Sequence, residues 1–533
     1  MVVAEEARAA RIGVEILARG GNAVDAAVAV GFALAVTLPS AGNLGGGGFM
    51  LVRLARQNRI VTIDYRETAP AGTKTDTFLD WRGEADPKKS IEEGLAVGVP
   101  GTVAGLALAH KKYGSGKFAL AELIQPAIKL AREGFLVDAE LADSLAKAKP
   151  VLERWPSTAA IFLKTDGSAP HEDELLVQRD LADTLEEIAR QGPRAFYRGR
   201  IADQIASSVR AAGGVMTRED IARYQAVERA PVSGSYRGYE IFSMPPPSAG
   251  GVHLIQILNI LEGYDLAALG PASGQAAHLM VEAMKVAYAD RARFLGDPEF
   301  VRIPVAGLIS KEYAAELRRR IDSERALRAD ELGASNPAAY EGDHTTHYSI
   351  VDRDGNAVAN TYTLNLRYGV GLVAAGTGVL LNNELDDFAA KPGAPNAFGL
   401  VGGTANAPGP GKKPLSSMAP TIVLKDGKLF LVTGSPGGSR IITTVANVLV
   451  NLIDHRMNIA EAVAAPRVHH QWLPDEVRVE PDVPPDTVWL LQARGNRVVR
   501  GNRWGSASSI MVGEGALLGA ADPRSRGALA AGF

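Results

Sequence analysis

The stretch Asp343-His344-Thr345-Thr346-His347-Tyr348-Ser349 stands directly ahead of a strand, an Asp-Gly turn and a second strand that reaches Thr363. A threonine can act as a nucleophile with its own base only if the peptide bond before it is cut, because the freed α-amine then lies beside its hydroxyl. The reference pKa of an α-amine is about 7.7 to 8.0, so much of it accepts a proton near neutral pH. Thr345 is therefore a candidate nucleophile inside a precursor, and the bond between His344 and Thr345 is the candidate cleavage site.

Two neighbouring threonines are also common at the start of an ordinary strand, where β-branched side chains pack well. Two later stretches favour the nucleophile: Pro414-Leu415-Ser416-Ser417-Met418, and then Gly434-Ser435-Pro436-Gly437-Gly438-Ser439-Arg440. Together with the doubled threonine, these stretches resemble the gamma-glutamyltransferase family. The resemblance covers essentially all 533 residues, from the glycine-rich opening at residues 20–26 to residues 521–525 near the end.

The composition is that of an ordinary globular protein, with 46% hydrophobic and 22% charged residues, and the length suggests about three domain-sized units. A formal net charge of −3 provides no electrostatic footprint for nucleic acid or for an anionic membrane. The chain has no cysteine, which excludes disulfides, thiolate nucleophiles and cysteine-ligated zinc. The absence of cysteine leaves the cellular compartment open.

The longest apolar stretch, residues 26–39, is shorter than the roughly 20 residues that span a bilayer, and Asp25 precedes it. We expect a buried helix there and no membrane span. No basic segment followed by an apolar one opens the chain, so no secretory signal is visible. The resemblance begins at Met1, in what looks like the family's first strand, and members normally carry a signal peptide. We therefore expect an N-terminally truncated sequence and, from the resemblance, a periplasmic or secreted protein.

Hydrophobic spacing predicts helices and strands in different parts of the chain. Helices are predicted at residues 4–18, from residue 23, and at 120–132, 180–191, 276–294 and 441–453. Strands are predicted at 49–52, 348–351, 357–364, 421–424 and 429–433, with Asp-Gly hairpin turns at 354–355 and 426–427. Residues 100–340 are predicted to be a helical scaffold, and residues 318–341 an exposed segment that leads to the cleavage site.

Two glycine-containing stretches can be compared with the glycine-rich motifs of nucleotide-binding sites. The run at residues 45–48 leads into a strand and not into a helix, so it indicates close backbone packing or a turn and disfavours a dinucleotide site. Gly411-Lys412-Lys413 lacks the spacing of a phosphate-binding loop. The long loop at residues 391–413 fits either a lid over a site or a solvent loop. Phe398 takes a lid position where several bacterial members have tyrosine, which puts a lid hydrogen bond in doubt.

Acyl transfer also needs an oxyanion hole and a group that orients the nucleophile. Gly437 and Gly438 come between a predicted strand and a predicted helix, so their N–H groups could face an anion, although a simple strand-to-helix turn fits equally. The resemblance implies that these glycines form the oxyanion hole. Thr363 lies across one hairpin from Thr345, and the resemblance implies that it orients the nucleophile.

A glutamyl group carries one carboxylate and one ammonium, which suit a guanidinium fork and a carboxylate respectively. Taken alone, Arg66 would be an ordinary salt-bridge residue, and Asp386-Asp387 a helix cap or a solvated pair. The resemblance implies a binding role for six residues: Arg66, Ser416 and Ser417 on the α-carboxylate, and Asn365, Glu384 and Asp387 on the α-amine.

Histidines at positions 344, 347, 469 and 470 suggest zinc at first sight, but the spacing of a zinc site is absent. Packing or hydrogen-bonding histidines are the better interpretation. We expect no metal and no cofactor.

The resemblance implies an α+β N-terminal nucleophile hydrolase, an αββα sandwich of two stacked β-sheets flanked by helices. It further implies self-cleavage into a large subunit (1–344) and a small subunit (345–533) that remain one intertwined heterodimer. The expected substrates are glutathione and other γ-glutamyl compounds, with water or an amino acid as acceptor. Two alternatives are a glutaryl or cephalosporin acylase of the same family and a non-processing binding protein. Asp387 argues against the acylase, because an unpaired buried carboxylate is costly.

Overall fold

The computed structural model describes residues 1–332 and 345–532. The helices in this part of the chain are α1 (Ala7–Ala18), α2 (Ala23–Thr37), α3 (Pro87–Ile91), α4 (Thr102–Tyr113), α5 (Leu120–Glu133), α6 (Ala139–Leu152), α7 (Pro156–Phe162), α8 (Arg179–Gln191), α9 (Arg194–Arg198), α10 (Arg200–Ala211), α11 (Arg218–Arg223), α12 (Gly250–Leu261), α13 (Leu266–Leu269), α14 (Gly274–Phe294), α15 (Val305–Leu308), α16 (Lys311–Arg320), α17 (Ile441–Ile453), α18 (Ile459–Ala464) and α19 (Pro485–Ala493). The strands are β1 (Val2–Ala4), β2 (Gly47–Leu54), β3 (Arg59–Tyr65), β4 (Phe135–Leu136), β5 (Leu175–Leu176), β6 (Val227–Arg229), β7 (Val232–Tyr236), β8 (Tyr239–Ser243), β9 (Thr345–Val351), β10 (Ala357–Thr363), β11 (Val373–Ala374), β12 (Val379–Leu380), β13 (Thr421–Lys425), β14 (Lys428–Thr433), β15 (Val468–His469), β16 (Val477–Val479), β17 (Val498–Arg500), β18 (Ser509–Val512), β19 (Leu517–Ala520) and β20 (Leu529–Ala531).

The hairpin of β9 and β10 lies in the middle of the first large sheet. Its strands follow the order β20-β1-β9-β10-β2-β3-β6, and every pairing in it is antiparallel. β9 and β10 are joined by the Asp354-Gly355 turn, where Gly355 has a φ of 80°. This register places Thr345 directly opposite Thr363 at the open end of the hairpin.

Side chains alternate along the central strands and pack into a separate core on each face of this sheet. Tyr348, Ile350 and Val358 point into a core that also contains apolar residues of α1, α2, α4 and α5. Phe49 and Leu51 of β2 point into the opposite core, which is shared with the second sheet. Because neighbouring residues of a strand face opposite sides, one buried strand supplies both cores.

The second large sheet has the order β19-β18-β14-β13-β8-β7. Its strands β14 and β18 contact β9 of the first sheet, while α12, α14 and α17 pack in the same second core. The layers are therefore helices, sheet, sheet and helices, and the prediction of an αββα sandwich is confirmed. Both sheets contain strands from before and after the 344/345 junction.

Most predicted elements are present, but the prediction of a purely helical scaffold for residues 100–340 is incomplete. Residues 120–132, 180–191 and 276–294 are helical, and α17 begins and ends where it was predicted. The same region also contains β7 and β8, which were missed and which form the edge of the second sheet. Their turn has positive φ at both Arg237 (51°) and Gly238 (82°), the conformation of a two-residue hairpin turn.

The apolar stretch after Asp25 is the buried helix that was predicted, since every residue of α2 is buried. Among the described residues, no helix combines the length and apolarity needed to cross a membrane.

The glycine run at residues 45–48 permits close packing beside strand β10 of the hairpin, as predicted. A Cβ atom on Gly46 would lie 2.1 Å from the carbonyl oxygen of Thr363, and one on Gly48 would lie 2.4 Å from that of Thr361. Any side chain here would push β2 away from β10.

The segment that precedes the cleavage site is described only in part. Residues 333–341 of the predicted exposed segment, and the cleavage-site residue His344, lie outside the described residues. Residues 322–325 are exposed, as expected. Ala326 and Ala329 are buried, and the indole of Trp472 donates to the carbonyl oxygen of Ala329 at 3.2 Å. The prediction of exposure is therefore wrong for these two positions.

Candidate active site

A narrow cavity of about 10 Å³ opens at the end of the β9–β10 hairpin. Its lining contains eight of the predicted site residues: Thr345, Thr363, Asn365, Glu384, Asp387, Ser416, Ser417 and Gly438. Arg66 contacts two of these residues, and Gly437 precedes Gly438 in the chain. Strand β10, the loops after β12 and before β13, and the loop between β14 and α17 thus meet around Thr345.

Thr345 is the first residue of a central strand and is only 7% exposed. Its neighbour across the hairpin, Thr363, accepts a hydrogen bond at its Oγ1 from the backbone N–H of Asn365 at 2.8 Å. Asn365 has a φ of 74° and donates through its side chain to the carbonyl oxygen of Asn383 at 3.0 Å. These bonds fix the end of the hairpin beside Thr345.

The loop between β14 and α17 has backbone angles that favour glycine. Gly437 has a φ of 135° and Gly438 a φ of 52°. The N–H of Arg440 closes the turn on the carbonyl oxygen of Gly437 at 2.8 Å, and the hydroxyl of Tyr288 donates to the carbonyl oxygen of Ser439. The turn leads into the N-terminus of α17, where the helix dipole stabilises negative charge.

Arg66 lies at the centre of a buried charged cluster. Its guanidinium donates to Glu384 and, at 2.6 Å, to Asp387, while its Nε donates to the carbonyl oxygen of Pro414 at 3.0 Å. Arg66, assigned to the substrate's carboxylate, is thus hydrogen-bonded to Glu384 and Asp387, which are assigned to its amine. An ordinary salt-bridge role and a substrate role are both compatible with this contact.

Glu67 adds a third carboxylate to the cluster, which sequence analysis missed. Its Oε2 lies 3.8 Å from Arg66 Nη1, and neither of its oxygens has a hydrogen-bond partner among the described residues. Burial, with Arg66 acting in the opposite direction, raises the pKa of Glu384 to about 7. Burial and the neighbouring Glu384 hold the pKa of Glu67 well above its usual range. One guanidinium among three carboxylates therefore favours retention of a proton in the cluster.

Replacing Arg66 with methionine is expected to destabilise the protein by about 3 to 5 kcal/mol, because buried carboxylates lose their cation. Urea unfolding of both proteins in a Thr345→Ala background measures the difference. Arg56→Met is the matched control: the Arg56 side chain is 86% exposed and pairs with Asp354 at 3.4 Å, so it should change stability by less than about 1 kcal/mol. Equal effects of the two substitutions would contradict a structural role for the buried cation.

The loop at residues 391–413, which we call the lid loop, covers the cavity. The side chain of Asn396 donates to Asp387 at 3.0 Å, and Gln471 donates to the carbonyl oxygen of Phe398 at 3.0 Å. Phe398 is buried, and its ring lies so close to Gly438 that a Cβ there would be 2.5 Å from the ring. The solvent-loop interpretation is therefore wrong. Asn396 and backbone contacts hold the loop although Phe398 has no phenolic hydroxyl.

Asp386 also holds the lid loop. It accepts hydrogen bonds from the hydroxyl of Ser90 at 2.7 Å and from the backbone N–H of Ala397 at 2.9 Å. Burial raises its pKa to about 7. The interpretation of Asp386 and Asp387 as a solvated pair is wrong, because both are buried.

The described histidines considered as zinc ligands are engaged in hydrogen bonds. The ring of His347 bonds to Thr361 at 2.7 Å and to Ser349 at 3.1 Å, and burial lowers its pKa to about 3. Burial likewise lowers the pKa of His469 to about 3 and that of His470 to about 4. Across residues 1–332 and 345–532, no group of three or more potential ligands is placed to hold a metal ion.

The αββα sandwich with a threonine at the start of a central strand defines the chain as an N-terminal nucleophile hydrolase, an enzyme. The family model described as Gamma-glutamyltranspeptidase matches residues 9–532. The chain belongs to the gamma-glutamyltranspeptidase family.

Three relatives illustrate the range of the family. The chain is 56% identical to "Glutathione hydrolase proenzyme" of Escherichia coli (strain K12), over 100% of this chain and 92% of the relative. It is 40% identical to "Acylase ACY 1 proenzyme" of Pseudomonas sp. (strain V22), over 99% of this chain and 92% of the relative. The solved structure of a cephalosporin acylase from Bacillus halodurans superposes with a TM-score of 0.87 at 28% identity, covering 100% of this chain and 95% of that one.

Proposed function

We propose that this protein is a gamma-glutamyltransferase and glutathione hydrolase whose nucleophile is Thr345. The observation that carries the proposal is the position of Thr345, which begins a central strand and faces a cavity lined by paired acidic residues and serines. The similarity to glutathione hydrolase proenzymes supports the same reaction. Intact mass, N-terminal sequencing and a γ-glutamyl anilide assay of the purified protein test it together.

Maturation begins when the Thr345 hydroxyl attacks the carbonyl carbon of residue 344. The C–N bond breaks as a C–O ester bond forms, so the acyl group moves from nitrogen to oxygen. Water then hydrolyses this ester, which leaves a carboxylate on residue 344 and a free α-amine on Thr345. The new amine lies next to the hydroxyl for which it serves as base.

In turnover, the Thr345 hydroxyl attacks the γ-carbonyl of the substrate while the α-amine takes its proton. The N–H groups of Gly437 and Gly438 stabilise the oxyanion, and each such donor is typically worth about 3 to 4 kcal/mol. The ammonium returns the proton to the leaving amine, and a γ-glutamyl ester remains on Thr345. Water or the amine of an amino acid or peptide then attacks the ester and restores the free threonine.

The charged cluster suits a zwitterionic group. Arg66 with Ser416 and Ser417 binds the α-carboxylate, whereas Glu384 and Asp387 with Asn365 bind the α-ammonium. A γ-glutamyl substrate brings one charge of each sign, so it leaves the net charge of the buried cluster unchanged. A glutaryl group brings only a negative charge, which adds repulsion in a place of low dielectric constant.

The second candidate, an acylase, is favoured by the similarity to Acylase ACY 1 proenzyme. Asp387 is not unpaired as the sequence suggested, since Arg66 and Asn396 donate to it. We still expect kcat/KM for γ-glutamyl p-nitroanilide to exceed that for glutaryl p-nitroanilide by about 100-fold or more, because only the former brings an ammonium that balances its carboxylate in the buried acidic cluster. Asp387→Asn should reduce this ratio by about 10-fold or more, since it removes the charge and keeps the shape.

Asp354→Asn, at the exposed tip of the hairpin, is the matched control and should leave the ratio unchanged. A wild-type preference for the glutaryl anilide would replace the proposed activity with the acylase. An uncut chain that forms no acyl-enzyme would favour the binding protein.

The two products of cleavage are proposed to remain associated as a heterodimer of a large subunit (1–344) and a small subunit (345–533). Within the first sheet, β10 of the small subunit pairs with β2 of the large one, and β9 pairs with β1. Separation of the subunits would break these pairings and open both cores. We also propose a periplasmic or secreted location, on the family resemblance alone; fractionation of cells that express the complete gene tests it.

A further inference from the structure

Helix α14 contributes a second buried arginine, which contacts a residue that lines the cavity. Arg291 is 4% exposed, and its Nη2 donates to the hydroxyl oxygen of Ser417 at 3.2 Å. Its Nε has no hydrogen-bond partner among the described residues. Burying a guanidinium is costly unless anions and hydrogen bonds compensate it, and Arg291 finds both in the site: Asp387 is a nearby anion and Ser417 accepts its hydrogen bond.

The same face of α14 contacts the other half of the site. Tyr288 precedes Arg291 by three positions, and its hydroxyl donates to the carbonyl oxygen of Ser439 beside the glycine turn. One rigid helix therefore contacts both the serine pair and the loop proposed as the oxyanion hole.

The charges around Arg291 come from several elements. Burial lowers its pKa, Asp387 and Tyr288 act in the opposite direction, and Arg66 reinforces the lowering. An arginine nevertheless stays protonated in proteins. Two guanidinium groups thus contact residues that line the cavity: Arg66, from the loop after β3, contacts Glu384 and Asp387, and Arg291, from α14, contacts Ser417.

The contact with Arg291 restricts the direction in which the Ser417 hydroxyl can donate its hydrogen. A serine hydroxyl has one hydrogen to donate, and its oxygen accepts the bond from Arg291. The hydroxyl hydrogen is then directed away from the guanidinium, and Ser417 lines the cavity. Hydrogen bonds in such a chain polarise one another, so a cation behind the serine makes its hydroxyl a stronger donor.

We propose that Arg291 is a positioning residue for substrate recognition: it orients the Ser417 hydroxyl to donate to the α-carboxylate of a γ-glutamyl substrate. The inference rests on the proposed function and adds a residue that does not itself touch the substrate. A positioning role predicts that substitution of Arg291 impairs substrates with an α-carboxylate more than substrates without one. Substitution of a residue that only supports the fold would lower activity on all substrates alike.

The test compares two anilides that differ only in the carboxylate, γ-glutamyl p-nitroanilide and 4-aminobutyryl p-nitroanilide. Arg291→Gln should lower kcat/KM for the first by about 10- to 100-fold and that for the second by less than about 3-fold. Arg291→Lys, which keeps the charge without the fork, should show a smaller loss with the same selectivity. Arg293→Gln, an exposed position on the same helix, is the matched control and should change neither rate.

A double-mutant cycle with Ser417→Ala provides the second measurement. Once the hydroxyl is gone, Arg291→Gln should have little further effect on the γ-glutamyl anilide, because the two residues act in one chain. Additive losses, or equal losses on both anilides, would overturn the proposal. If Arg291→Gln fails to accumulate as folded protein, the selectivity of Arg291→Lys decides the question. A wild-type protein inactive on γ-glutamyl anilide would instead refute the proposed function.

Discussion

Thr345→Ala is expected to remain a single uncut polypeptide of 533 residues and to lose γ-glutamyl transfer by a factor on the order of 10⁴ or more. The substitution removes the hydroxyl that attacks residue 344 during maturation and the substrate during turnover. Because the α-amine is never released, the proposed base is lost as well. Intact mass and N-terminal sequencing measure the cut, and release of p-nitroaniline measures turnover.

Two further variants separate this result from a general defect. Thr345→Ser keeps a hydroxyl on the same backbone and should still be cut and active. Thr346→Ala changes the buried neighbour on the opposite face of β9 and should leave a mature N-terminus at residue 345. A wild-type preparation that is active while unbroken at the junction would rule out the mechanism, and so would cleavage of Thr345→Ala.

The central hairpin could be predicted from sequence because its signals are local. Alternation over residues 348–351 and 357–364 indicates strands, and the Asp-Gly dipeptide between them indicates the turn. β7 and β8 were missed because they are short and contain polar residues at the edge of a sheet. Their turn, Arg237-Gly238, is a weaker signal than Asp-Gly, and the helices on either side dominated the pattern.

The residues of the candidate site were predicted one by one through the family resemblance. The contacts between these residues were not predicted. Arg66 lies 318 positions from Glu384 and 321 from Asp387, so no local pattern reveals that they pair. Arg291 and Ser417 are 126 positions apart, so no local pattern reveals their contact either, and on its own helix Arg291 is simply one of two arginines. Burial of Asp386 depends on the lid loop and on Ser90, which only the folded chain brings together.

Gly438→Ala is expected to lower kcat by about 10²- to 10³-fold, the loss typical of a disturbed oxyanion donor. Two physical effects combine at this position. The φ of 52° costs an L-residue about 1 to 2 kcal/mol, and the new Cβ would lie 2.5 Å from the ring of Phe398. Relief of the strain rotates the peptide and displaces its N–H from the oxyanion, while relief of the collision either rotates the same peptide or moves the lid loop away from the site. Steady-state kinetics on the processed fraction measures the result.

Gly427→Ala isolates the contribution of backbone strain. Gly427 has a φ of 71° in the turn between β13 and β14, and a Cβ there would meet nothing within 4 Å. Its alanine variant should lose about 1 to 2 kcal/mol of stability from the strain alone and keep its kcat. Combining Gly438→Ala with Phe398→Ala removes the collision and leaves the strain, so we expect partial recovery over Gly438→Ala alone. If Gly438→Ala were as active as Gly427→Ala, the peptide at residue 438 would not serve as an oxyanion donor, and the stabilising groups would have to be sought elsewhere around Thr345.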